Sequence, residues 1–128
     1  MLFKAAYNNL GAFKSMSRTN RLLLAPPYPV EQSLKHLGEN LRIARIRRNL
    51  TIEDVAERIG TGPRPVMDAE KGKASTGIVV YAALLWLYDQ LYELDDVADP
   101  SKDKEGLSLE RVRQRIRVRK SKGLASDF

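Results

Sequence analysis

Apolar residues recur at intervals of three and four along the middle of the chain, the period of helices that bury one face. The pattern starts at Val30: Leu34, Leu37, Leu41 and Ala44 fall on one side, with Arg42, Arg45 and Arg48 close to it. Asn49 tolerates the left-handed conformation and predicts the end of this first helix. Thr51 then predicts an N-cap, with Glu53 and Asp54 in the first turn, where the helix dipole favours negative charge. Val55, Ala56 and Ile59 make the buried side of this second helix, and Gly60 ends it. In Thr61-Gly62-Pro63-Arg64-Pro65, both prolines fit a third helix only in its first turn, where their missing N–H groups would be unpaired anyway. Val66 and Ala69 are expected to face inward, and Lys71-Gly72-Lys73 to close the helix. Ser75 or Thr76 is expected to cap a fourth, longer helix. That helix and its continuation are apolar on two sides: Leu84, Leu87, Leu91 and Leu94 form one stripe, and Tyr81, Leu85, Tyr88 and Tyr92 the other. A helix apolar nearly all round is buried on more than one face. The leucines are expected on the domain core, and the Tyr81–Leu85–Tyr88–Tyr92 stripe at a dimer or partner interface.

The flanks read differently. Phe3, Tyr7, Leu10 and Phe13 sit on one helical face within residues 1–15, a marginal helix with no assigned role. Met16 offers a second translation start, and that segment is not expected to be a secretory leader, since Lys4, Asn8 and Asn9 break its apolar run. Residues 17–30 end in Ala25-Pro26-Pro27-Tyr28-Pro29, which predicts an extended spacer rather than a helix, with a proline-rich ligand as the less favoured reading. Asp95, Asp96, Asp99, Pro100, Ser101, Lys102 and Asp103 form an acidic connector; the glycine and closing glutamate of a calcium loop are missing from it. Beyond it, Arg111, Arg113, Arg115, Arg117 and Arg119 alternate with Val112, Gln114, Ile116 and Val118, which predicts a strand if the segment folds and a disordered nucleic-acid arm if it does not. The expected division is therefore an extension and linker over 1–30, a folded domain over 31–97, and a connector with an arginine-rich tail over 98–128.

Composition narrows the chemistry. The chain has no cysteine and a single histidine, His36, so thiol redox chemistry, zinc-thiolate sites and most histidine-dependent catalysis are excluded. No apolar run approaches the roughly 20 residues that span a bilayer. No nucleophile–base pair, phosphate loop or metal cluster is legible, so no catalytic residue, cofactor or metal is expected. The net charge of +6 is unevenly distributed: residues 1–48 carry +7, residues 49–110 carry −7 and residues 111–128 carry +6. Basic ends around an acidic middle suggest contact with a polyanion at two places.

The most informative stretch is Leu50-Thr51-Ile52-Glu53-Asp54-Val55-Ala56-Glu57-Arg58-Ile59-Gly60, continuing through Val66 to Ala69-Glu70-Lys71-Gly72-Lys73. Its spacing fits a helix-turn-helix. Ala56 is small where the second and third helices approach, and Gly60 permits the tight turn. With Val66 and Ala69 inward, Arg64, Met67, Asp68 and Lys71 are left pointing outward. A helix so presented can enter the major groove, where base edges differ in donors and acceptors.

These residues resemble the Cro/C1-type (XRE) family of helix-turn-helix regulators from about Leu37 through Leu94. The resemblance rests on Leu37-Gly38-Glu39, Leu41-Arg42, Arg45, Leu50-Thr51, Ala56, Gly60 and Glu70-Lys71-Gly72-Lys73. It implies an all-α, five-helix lambda-repressor-like domain that binds double-stranded operator DNA as a homodimer, with flexible N- and C-terminal extensions. Tyr81-Ala82-Ala83-Leu84-Leu85-Trp86-Leu87 and Asp99-Pro100-Ser101-Lys102-Asp103-Lys104-Glu105-Gly106 look like the HipB-type antitoxins encoded beside HipA-like kinase toxins. That branch implies a cytoplasmic repressor of its own operon, with the kinase as a second partner and no membrane role.

The chain departs from the family at the reading surface. Ile52 stands where the family usually has a phosphate-gripping glutamine, and Pro63 and Pro65 occupy a turn that normally carries hydrogen-bonding side chains. Arg64 alone can make a bidentate contact to guanine there, worth roughly 1–3 kcal/mol of discrimination. The expected DNA-binding residues are Thr51, Arg64, Met67, Lys71 and Lys73, joined by Arg111, Arg113, Arg115, Arg117 and Arg119 on the tail. Arg42, Arg45 and Arg48 are expected to make structural ion pairs, Trp86 and the tyrosines to pack, and His36 to lie on the surface. A stand-alone regulator of the same family, and an interaction module that kept the fold but lost base readout, are the alternatives.

Overall fold

Among the described residues, six α-helices have both ends defined, and their caps and breakers are local features of the sequence. The computed structural model describes residues 21–126, with side chains through residue 123, and every regular element among them is helical. The apolar pattern at Phe3, Tyr7, Leu10 and Phe13 lies outside the described residues. Helix α1 is Tyr28–Arg47, α2 Ile52–Ile59, α3 Pro63–Glu70, α4 Ile78–Leu87, α5 Leu91–Asp95 and α6 Lys104–Ser126, with a short 3-10 turn at Pro100–Lys102. The chain divides into two compact units, one running through Leu91 and the other starting at Tyr92. No helix among the described residues is long and apolar enough to cross a membrane.

The first unit is built on an apolar centre of Leu41, Ala44, Val55, Ala56, Val66, Ala69, Tyr81, Leu84 and Tyr88. Leu37, Leu50, Ile52, Ile59, Val80, Leu85 and Leu87 pack around it. Thr51 caps α2 reciprocally: its hydroxyl accepts from Asp54 N–H at 3.1 Å, and its own N–H donates to Asp54 Oδ2 at 3.0 Å. Asn49 at φ +58° ends the first helical segment and Gly60 at φ +84° ends α2, as their residue types require.

Several expectations from the sequence are corrected. The proline-rich segment is not extended throughout: residues 21–24 are helical, and Pro27 is the N-cap of α1, so Pro29 sits in the first turn, where it costs no hydrogen bond. Gly77, not Ser75 or Thr76, precedes α4. The long fourth helix is broken after Leu87, with Asp89 at φ +58°, so the two stripes do not continue in register into α5. Tyr81 and Tyr88 are 5% and 2% exposed, core residues that leave no surface to a partner, whereas Tyr92 is 63% exposed. Burial pushes the pKa of both buried phenols up.

The largest correction concerns the basic tail, which is neither a strand nor an unstructured arm but most of α6. Asp103 starts this helix, its Oδ1 accepting from Gly106 N–H at 2.9 Å while its carbonyl accepts from Leu107 N–H at 3.0 Å. Arginine, glutamine and lysine are good helix formers, and a two-residue alternation has nothing to stabilise it without a neighbouring strand.

Candidate nucleic-acid interface

Helices α2 and α3 and the tight corner at Gly60, Thr61 and Gly62 form a helix-turn-helix. Thr61 N–H and Gly60 N–H both donate to Ala56 O, at 2.9 and 3.0 Å, which folds the chain back sharply after α2. Pro63 and Pro65 lie in the first turn of α3, as the missing donors demand. Val66 and Ala69 are fully buried, so the opposite side of α3 faces out, with Arg64, Met67 and Lys71 exposed.

Asp68 does not join that outward set. Its side chain is mostly covered and lies between two cations, 3.5 Å from Arg64 Nε and 3.8 Å from Lys73 Nζ. The acid therefore partly neutralises two of the residues expected to meet DNA, and its backbone carbonyl also accepts from Lys73 N–H at 3.0 Å. Lys71 has no anionic partner among the described residues. Thr51, at the other helix start, is held in the cap of α2. Its N–H and then its hydroxyl keep the Asp54 carboxyl below the usual carboxylate range.

The end of α3 is fixed to α1 by features whose role the spacing alone did not disclose. Arg45 Nε donates to Glu70 Oε1 at 2.6 Å and Nη2 to Oε2 at 3.4 Å, a two-pronged pair whose side chains are 14% and 7% exposed. Arg45 Nη1 donates to Leu50 O at 2.9 Å, so the same guanidinium also ties down the α1–α2 corner. Gly38 lets the two backbones meet: a Cβ there would stand 2.6 Å from Ala69 O and Glu70 O. Gly72, at φ +68°, would place a Cβ 2.5 Å from Leu34 O. Thus Gly38, Arg45, Glu70 and Gly72, all within the quoted motif, work as one structural joint that positions the Lys71–Lys73 corner. Arg48 is structural too, donating to Ala44 O and Tyr88 O and stacking 5.1 Å over the Tyr88 ring. Arg42 pairs with Glu39 at 3.4 Å.

In the second unit, Arg111, Arg113, Arg115, Arg117 and Arg119 are all exposed and have no ion pair among the described residues. A strand would have put all five on one face. The helix splits the basic residues into two rows, Arg111, Arg115, Arg119 and Lys122 on one side and Arg113, Arg117 and Lys120 on the other. Leu109, Val112 and Ile116 lie between the rows at helical spacing.

No protein-family model matches the chain, and neither a curated protein nor a solved structure is significantly similar to it.

Proposed function

We propose that this chain is a sequence-specific, double-stranded DNA-binding repressor that acts as a homodimer in the cytoplasm and carries no enzymatic activity. The observation that carries this reading is the helix-turn-helix whose α3 buries Val66 and Ala69 while presenting Arg64, Met67 and Lys71. Arg64 supplies the bidentate base contact, Lys71 and Lys73 contact flanking phosphates, and Thr51 marks the second helix start at the groove. Pro63 and Pro65 offer no hydrogen bonds, so base reading is sparse, and DNA shape and phosphate contacts carry much of the affinity. The basic rows of α6 supply a second phosphate contact.

Within that reading, the chain is the antitoxin of a HipA-like kinase module and represses its own operon, with the kinase held alongside the DNA. Co-expression with the neighbouring open reading frame tests this part. If no kinase-fold protein co-purifies, the chain is a stand-alone regulator. Ile52 and the two prolines favour one further reading, an interaction module that has lost base readout.

Fluorescence anisotropy decides between these, using the DNA upstream of the gene, a scrambled duplex, and the chain truncated after Glu110. A preference of about a thousandfold or more for the upstream DNA is expected of a sequence-reading repressor. If one row of α6 meets phosphates, truncation lowers the slope of log affinity against log salt by about three to four. Equal affinity for both duplexes refutes base reading.

A further inference from the structure

The geometry points to the exposed face of α4 as the surface on which two copies of this chain pair. Helix α4 carries no charged residue. Ile78, Val79 and Trp86 share one side of it and are 71%, 73% and 61% exposed, around the small Ala82. Apolar patches of this kind on an otherwise charged chain mark interaction sites. The claim deepens the homodimer proposed above and rests on that reading only for the statement that the chain acts as a pair.

The occupant is a second copy for two reasons. First, the face is self-complementary. Across a two-fold axis at Ala82, antiparallel α4 helices approach closely at the alanine, and each Trp86 covers the partner's Ile78 and Val79 end of the same face. Second, charge favours α4 over the other open apolar seam. Leu109, Val112 and Ile116 on α6 are bordered by arginine rows on both sides, so self-pairing there brings like charges together. Helix α4 itself contributes no charge to a pairing contact. The contact is on the order of half the ~800 Å² per partner of a standard interface, so a weak, reversible dimer is expected.

Trp86 is the chain's single tryptophan, so the surface carries its own reporter. The test is the full chain in a dilution series through the micromolar range, without DNA, followed by sedimentation velocity and by the Trp86 emission maximum. Twice the chain mass at high concentration is expected, with emission shifting to the red as the dimer dissociates. Ile78→Asp puts a carboxylate at the first position of α4, where the helix dipole favours it in the monomer. Burying that charge at the interface is expected to weaken the dimer on the order of a hundredfold or more while leaving helicity unchanged. Trp86→Gln gives the same loss by mass alone should Ile78→Asp fold poorly. A monomer at every concentration overturns the proposal, as does a dimer that survives both substitutions. Dilution-insensitive blue emission that turns red on truncation after Glu110 also overturns it, because α6 of the same chain is then the occupant. Because mass and emission are read without DNA, a failure of the DNA-binding reading leaves these outcomes distinct.

Discussion

Replacing Arg45 by methionine removes the guanidinium that holds the end of α3 to α1 but keeps much of its packing volume. Three hydrogen bonds go with it, two to the Glu70 carboxylate and one to Leu50 O. The Glu70 side chain, 7% exposed, is left as an unpaired buried charge. Breaking one side of such a pair costs about 3–5 kcal/mol, most of it the penalty on the abandoned partner. That is a large share of the ~5–15 kcal/mol that holds a domain folded. At ~4–8 °C per kcal/mol for a unit of this size, the melting midpoint falls by roughly 12 °C or more. Urea unfolding followed by Trp86 emission, at a concentration low enough to keep the chain monomeric, reads the first unit, since Trp86 lies on α4. Pairing Arg45→Met with Glu70→Leu removes the stranded charge and is expected to recover at least about 2 kcal/mol, because a buried ion pair is often replaceable by apolar side chains. A loss below about 1 kcal/mol in Arg45→Met would mean that the pair behaves like a surface contact. A double variant no better than the worse single one would refute the buried-charge argument outright.

Asp68→Asn frees both Arg64 and Lys73 and is expected to raise affinity for a scrambled duplex about two- to fivefold, with little change in stability; unchanged or weaker binding by anisotropy would show that Asp68 does not restrain them. Gly60→Ala places a Cβ in open space at φ +84° and should cost about 1–2 kcal/mol, whereas Gly72→Ala adds a collision with the Leu34 backbone and should cost at least twice as much. Equal losses in urea unfolding would contradict the close approach of α1 to the end of α3. Because the folded Asp54 carboxyl titrates below its unfolded value, its cap contributes fully above the ordinary aspartate pKa and is lost as pH falls through the lowered one. NMR titration of that carboxyl should show a higher midpoint in Thr51→Val, which loses the hydroxyl but keeps the N–H, and an unmoved midpoint would show that the hydroxyl contributes nothing to the shift.

Helices α2 and α3 were legible because their signals are local: a capping threonine, a left-handed glycine, and prolines that tolerate only a first turn. The inward placement of Val66 and Ala69 followed from the same period. What escaped was long-range. Nothing in the spacing says that Arg45 meets Glu70, that Gly38 meets the backbone of Ala69 and Glu70, or that Gly72 meets the backbone of Leu34, because those contacts depend on how α1 crosses the end of α3. The tyrosine stripe misled for a related reason. Periodicity identifies faces that are apolar, but only packing decides which of two apolar faces becomes core. Here Tyr81 and Tyr88 go inside, and Ile78, Val79 and Trp86 stay out. The basic tail misled because alternation suggested a strand, although Asp103 beside Gly106 and the Leu109–Val112–Ile116 spacing already signalled a helix.

That conformation changes what the arginines can do. Along a strand, five guanidiniums on one face could all follow a single phosphate track. On α6, the arginines and lysines turn to opposite sides of an apolar seam, so a straight helix laid against one backbone engages one row and leaves the other in solvent. The second row either reaches the far wall of a groove or serves a different anionic partner. In both cases, counterion release on binding is smaller for one engaged row than the arginine count suggests. The exposed side of α3, the proposed reading surface, is constrained in a parallel way. Asp68 offsets one of the two charges on Arg64 and Lys73, so on the proposed reading a base contact requires Arg64 to turn from Asp68 to the base, an exchange of one charge-assisted contact for another. On the proposed DNA-binding reading, Lys71 and one basic row of α6 add phosphate contacts to the single base contact from Arg64, so truncating α6 is expected to weaken duplex binding more than any one substitution on α3.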